Sequence, residues 1–219
     1  MNRAFACNAN AGSQSLVGSF VPSHDVLQVS GNEVAVDFGF AGNSMPSWWQ
    51  FKAVGSCRQN SLAYVTSAPV TAVHCEDWSA GQAVGGLLAY NLGIFGANSA
   101  RLLGQSVVLP SALVDLTAGQ EYFSFQLTIN NLNTVGAGAC GGCDLGGCIA
   151  LKSIKLVTSD PTHDVILTPQ RSGPGAYDGL ATRQGGAGVI TFANGGQTLC
   201  LAATPVRNGT WSGVKALYR

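Results

Sequence analysis

Glu121-Tyr-Phe-Ser-Phe-Gln-Leu-Thr-Ile129 is the stretch whose reading decides the fold. Phe123, Phe125, Leu127 and Ile129 recur at every second position, while Tyr122, Ser124, Gln126 and Thr128 alternate with them. A period of two places the first set on one face and the second on the other, which is a strand with one buried side. The same alternation runs through Glu33 to Phe40, with Val34, Val36, Phe38 and Phe40 inward and Glu33 and Asp37 outward. Further strands are expected at 14–20, 47–54, 61–66, 86–92, 101–109, 148–157 and 187–192. In Ile149–Leu156 the apolar phase changes at Lys152-Ser153, which predicts a bulge. Gly, Asn, Ser and Pro clusters separate these runs at short intervals, the punctuation of a β-sandwich or jelly roll. The expectation is one all-β domain over residues 1–219, with a long loop at about 170–187. One short helix is expected at 210–218, capped by Thr210 and carrying Trp211, Val214, Leu217 and Tyr218 at helical spacing.

Composition narrows the function classes. The 219 residues carry 11 Lys+Arg and 11 Asp+Glu, so the net charge is zero and no basic field exists to attract nucleic acid. With 46% hydrophobic residues the chain has the material for a core and is not a solvated, disordered polymer. Only 10% of residues are charged and 29 are glycine, which excludes a coiled coil or helical bundle. No apolar run approaches the ~18 residues of a membrane-spanning helix. Seven cysteines in a charge-poor, loop-rich chain point to an oxidising compartment, hence a secreted, extracellular protein. The sequence opens directly in what reads as mature sequence, with no signal peptide: Met1 is either a start placed after a removed leader or the start of a truncated reading frame. The odd cysteine count leaves one over; Cys7, close to the start, is expected to be that one, with its partner upstream.

Cys140-Gly-Gly-Cys143-Asp-Leu-Gly-Gly-Cys148 is the most distinctive local motif. One reading is structural disulfides stapling the hairpin between the 121–129 and 148–157 strands, with Cys57–Cys75 a second staple and Cys200 a further candidate. Another is a zinc site of Cys140, Cys143 and Cys148 with Asp144 or a distant His as fourth ligand. A redox Cys-x-x-Cys is the third, although the helix it normally caps is missing. Disulfides are favoured, and no cofactor is then needed.

If 47–54 is a strand, Trp49 and Phe51 face the core while Trp48, Gln50 and Lys52 face solvent. An outward indole beside polar side chains is a platform for the apolar face of a sugar ring, and Trp78 and Tyr122 would extend it. The competing reading covers Trp48 with a loop or with the C-terminal helix, since Trp is usually well buried. For glycoside hydrolysis the carboxylate candidates are few: Glu76 and Asp77 in His74-Cys-Glu-Asp-Trp78, and Glu121. His24-Asp25 and His163-Asp164 are two His-Asp pairs, but neighbours on a strand point to opposite faces, so each pairing reads as incidental. Asn208-Gly-Thr210 matches a glycosylation acceptor.

Taken in order, Phe5-Ala-Cys-Asn8, Trp48-Trp49, Gly55-Ser-Cys57-Arg58, Trp78-Ser-Ala-Gly-Gln-Ala83, Glu121-Tyr-Phe123, Ile129-Asn-Asn131, Gly138-Ala-Cys-Gly-Gly-Cys143 and Cys148-Ile-Ala-Leu151 resemble a family of uncharacterised secreted proteins of environmental bacteria. The resemblance spans nearly the whole chain and continues into Thr210–Tyr218. It implies a signal peptide and a further upstream cysteine, and it implies no activity. Three functions therefore stand as expectations: a module binding a glycan or surface polymer, a glycoside hydrolase with or without Cys-bound zinc, and a self-associating subunit of an extracellular layer or filament.

Overall fold

The computed structural model describes residues 2–3, 5–40, 42–68, 75–168, 179–183 and 189–192. Thirteen strands follow one another among them: β1 (Asn2–Arg3), β2 (Ser13–Pro22), β3 (Val26–Phe40), β4 (Leu62–Val65), β5 (Glu76–Asp77), β6 (Val84–Leu92), β7 (Ser99–Val107), β8 (Val114–Leu116), β9 (Tyr122–Asn130), β10 (Gly147–Thr158), β11 (Val165–Leu167), β12 (Gly179–Arg183) and β13 (Val189–Phe192). The larger sheet has the order β1-β13-β10-β3-β7-β6, with β11 on β10 and β8 on β3. The smaller has the order β12-β2-β9-β4, with β5 also on β9. All ladders are antiparallel except β1–β13 and β5–β9. The chain is thus an all-β sandwich. The expected helix at 210–218, Asn208, Cys200 and His74 lie outside the described residues, as does most of the stretch read as a long loop. Within that stretch Gly179–Arg183 is a strand paired with β2.

The alternation that identified β9 and β3 sets the core. Phe125, Leu127 and Ile129 are buried in the core from one sheet, and Val34, Val36, Phe38 and Phe40 from the other; Phe123, expected inward with them, is buried but lies outside that cluster. The sheets meet closely where the Tyr64 ring stacks on Phe125 and lies against Gly104 of β7, a position where any Cβ would collide with that ring. The phase change in β10 is the expected bulge: the register with β3 shifts between Leu151 and Ser153. A second bulge, between β2 and β9, puts Phe123 and Phe125 opposite the consecutive residues Ser19 and Gly18 and leaves Ser124 over. That extra residue reverses the facing of the strand end. Tyr122 therefore turns inward against Phe20, at a centroid distance of 5.6 Å, instead of outward as strict alternation requires.

Residues 47–54 do not form a strand. Pro46 lacks an N–H and precedes a short 3-10 turn at Ser47–Trp49, and Lys52 has a positive φ of 60° that no strand accommodates. Strands β1, β5, β8 and β11 have two or three residues each, too few to show a period.

Candidate functional site

With the strand at 47–54 gone, so is the sugar platform. Trp48, Trp49 and Trp78 are each at most 1% exposed. Trp48 and Trp49 pack edge to face at 5.0 Å and join Phe5, Phe40 and Phe51 in one aromatic nest. The Trp48 indole donates to Thr134 Oγ1 at 2.9 Å. Gln50 donates from Nε2 to the Met45 carbonyl, and Tyr122 Oη accepts from the Thr117 amide. Lys52 alone of the proposed ligand set is exposed. Trp is the side chain with most apolar area to bury, and two beside a proline turn found a core rather than a surface.

The cysteines also pair differently. Cys7 is joined to Cys143 and Cys57 to Cys140, with Cα–Cα separations of 5.6 and 6.1 Å. Cys57 is therefore not bonded to Cys75, and Cys7 is not left over. The Cys-Gly-Gly-Cys turn folds over the aromatic nest: the Trp48 amide donates to the Gly141 carbonyl, and Gly142, with φ +94°, approaches Pro46 too closely for a Cβ. Cys148 is disulfide-bonded as well. The sulfurs that a zinc site of Cys140, Cys143 and Cys148 would use are oxidised, Asp144 is exposed, and no group of three His, Cys, Asp or Glu among the described residues is arranged to hold a metal.

The carboxylate candidates do not converge. Asp77 Oδ1 accepts from the Ser79 amide and hydroxyl and Oδ2 from the Gly81 amide, so both oxygens serve its own turn. Glu76 is exposed. Glu121 accepts from Ser19 Oγ at 2.5 Å. None of the three lines the cleft described next.

That cleft, of about 700 Å³, opens where the loop between β2 and β3 meets the turn after β10. Its lining includes His24, Asp25, Asp115, Asp160, His163 and Asp164, over buried Val26 and Val165. Both His-Asp dipeptides lie in turns, not strands, so the opposite-face argument against them does not apply. The sandwich brings the two together from positions 139 residues apart (163 − 24).

Each carboxylate is held by a backbone donor. Asp25 Oδ1 accepts from the Ala118 amide at 2.8 Å and Asp115 Oδ1 from the Gln28 amide at 2.8 Å. Among the described residues their second oxygens have no hydrogen-bond partner. Asp160 caps the turn at Pro161–His163, accepting from the Thr162 amide and hydroxyl, and its Oδ2 lies 3.1 Å from His163 Nδ1. The Thr162 hydrogen bonds, backbone first, hold the Asp160 carboxyl below its ordinary range. Asp164 accepts from the Thr158 amide at 2.9 Å and pairs with Lys155 at 2.8 Å. Burial raises its carboxyl, but the bonds from Lys155 and Thr158 outweigh that and keep it low. Gln28, in the left-handed region at φ 56°, bridges the walls: its carbonyl accepts from the Ser159 amide and its Oε1 from Ser159 Oγ at 2.5 Å. The cleft is thus a preformed, acceptor-rich groove with two exposed imidazoles. Comparison with known protein families, characterised proteins and solved structures gives no match, so its chemistry has to be read from these residues alone.

Proposed function

We propose that this chain is a secreted, extracellular module that binds a hydroxyl-rich polymer, a glycan or surface polysaccharide, in the cleft between His24–Gln28 and Thr158–Asp164. The observation that carries this reading is the pinning of all four cleft carboxylates by backbone amides. Planar acceptors fixed before binding recognise sugar hydroxyls at little entropic cost, and Val26 and Val165 offer an apolar floor. Two described disulfides support an oxidising compartment, and no described helix is long and apolar enough to cross a membrane.

The test is affinity electrophoresis through gels containing soluble polysaccharides, comparing wild type with His24→Ala/His163→Ala. Both imidazoles are exposed, so the double variant should melt with wild type while its retardation weakens about tenfold, a loss of two hydrogen bonds to ligand. Equal retardation of both proteins moves the site elsewhere; no retardation in any polysaccharide removes the glycan reading.

A further inference from the structure

The cleft between His24–Gln28 and Thr158–Asp164 offers more acceptors, and more negative charge, than a neutral sugar uses. Asp25, Asp115, Asp160 and Asp164 are four of the chain's 11 acidic residues, and the described lining contains no Lys or Arg. Lys155 reaches Asp164 from β10, but among the described residues no Lys or Arg pairs with Asp25, Asp115 or Asp160. Donors are correspondingly short. The Thr158 hydroxyl donates to the Asp160 carbonyl at 2.6 Å and the Ser159 hydroxyl to Gln28 Oε1 at 2.5 Å, so both protons are spent inside the protein. The carboxylates are also divided between the walls, Asp25 and Asp115 on the β3–β8 side and Asp160 and Asp164 on the turn after β10. Among the described residues no three acidic, His or Cys side chains converge as chelation of one ion requires. A divided set of this kind suits single positive charges spaced along a chain.

We propose that the polymer bound in this cleft carries free amino groups, as a glycan of deacetylated amino sugars does. The proposal rests on the cleft being the glycan site and names which glycans fill it. An ammonium brings three donors and no acceptor, which matches walls whose carboxylates only accept and whose hydroxyls are already engaged. A sugar hydroxyl brings one donor with two acceptor lone pairs, and leaves the charge of the carboxylates uncompensated once water is displaced. A uronate or a sulfate ester would meet like charge on both walls. Leu27, 62% exposed, and buried Val26 and Val165 take the apolar face of the rings between the amines.

The test is titration calorimetry of the full chain with two hexamers of one backbone, β-1,4-linked glucosamine and its fully N-acetylated form. At about pH 6.5 the carboxylates are ionised and the free amines carry charge. The glucosamine hexamer should bind about tenfold tighter or better, the worth of one charge-assisted hydrogen bond, and its affinity should fall as salt rises. Asp25→Asn/Asp115→Asn should weaken it about tenfold with an unchanged melting temperature, because the amide oxygens still accept from Ala118 and Gln28. Glu76→Gln/Asp144→Asn removes the same charge from exposed positions outside the cleft and should leave the affinity as it was. Equal weakening by both double variants would reveal attraction to net charge and overturns the proposal. If the cleft variant proves unstable, the comparison of the two hexamers on wild type decides. An N-acetylated hexamer that binds as tightly, and is lost in His24→Ala/His163→Ala, overturns the amine proposal and leaves the glycan reading standing. Binding of neither hexamer also overturns it, and retardation in the polysaccharide gels then decides whether the glycan reading falls too.

Discussion

Strand β3 runs the length of the sandwich, and its two ends are held by different chemistry. At the Phe40 end, Cys7–Cys143 and Cys57–Cys140 tie the N-terminal segment and the 53–60 turns to the loop before β10, over a nest of Phe5, Trp48, Trp49 and Phe51. At the Val26 end neither described disulfide is present; Asp25, Asp115, Asp160 and Asp164 hold the turns through backbone amides. The first end hides its aromatic side chains, while the second keeps its polar ones on a cleft. Covalent closure and apolar burial stabilise without leaving chemistry accessible, whereas carboxylate caps stabilise less and leave oxygens for a ligand. The largest expected effect breaks the covalent end. Cys7→Ser/Cys143→Ser opens a cross-link between residues 136 apart and should cost about 4 kcal/mol in urea unfolding. Hydrogen exchange should rise in 131–146 and stay as in wild type at the Gln28, Ala118 and Thr158 amides. Equal loss of protection at both ends would show that they are one cooperative unit.

Arg58 is the next point of attack, and it belongs to the same end. It is fully buried, and no carboxylate among the described residues pairs with it. Its guanidinium instead donates to three carbonyls, from Nε to Trp48 at 3.1 Å, from Nη2 to Asn130 at 2.7 Å and from Nη1 to Leu132, and lies 3.8 Å over the Trp48 ring. Burial lowers its pKa to about 10, which leaves it charged at neutral pH. Arg58→Met should cost about 3 kcal/mol, because the carbonyls lose charge-assisted donors and stay buried. Arg58→Lys should recover little, since one ammonium cannot span the fork. Full recovery with Lys would mean that charge alone, rather than geometry, seats this residue.

These two ends were unequally legible in the sequence. Period two gave β3 and β9 and the phase change at Lys152-Ser153 gave the β10 bulge, because a one-sided buried strand writes its facing into every second residue. The same rule misplaced Trp48 and Tyr122, the first because Pro46 starts a 3-10 turn, the second because the bulge at Ser124 reverses facing. Cysteine partners were not readable at all: Cys57 and Cys140 are 83 residues apart, and pairing at that range depends on where the sheets carry the loops. The cleft was half visible. Both His-Asp pairs stood out, yet their dismissal assumed strands where the chain makes turns. Asp160-Pro-Thr, an N-cap followed by proline, was the available signal that the second pair lies in a turn.

The smallest effect tests the cleft end directly and has a pH signature that the disulfide end lacks. Asp164 is held below its ordinary range when folded, by Lys155 and the Thr158 amide against the opposing effect of burial. In the unfolded chain it titrates near the usual value of about 4. Its contribution is therefore complete above about pH 4 and is lost as pH falls through the lower folded value. Asp164→Asn should cost about 1 kcal/mol at pH 7, the worth of one hydrogen bond and one half-exposed ion pair. Urea unfolding of wild type and variant at several pH values should show the difference shrinking below about pH 4, where the wild-type carboxyl takes up a proton. The deficit of Cys7→Ser/Cys143→Ser should persist over the same range, because a cross-link has no proton to bind. A difference at Asp164 that survives unchanged to about pH 2 would mean that the side chain acts by packing rather than by charge, and the contrast between the two ends would then rest on the cysteines alone.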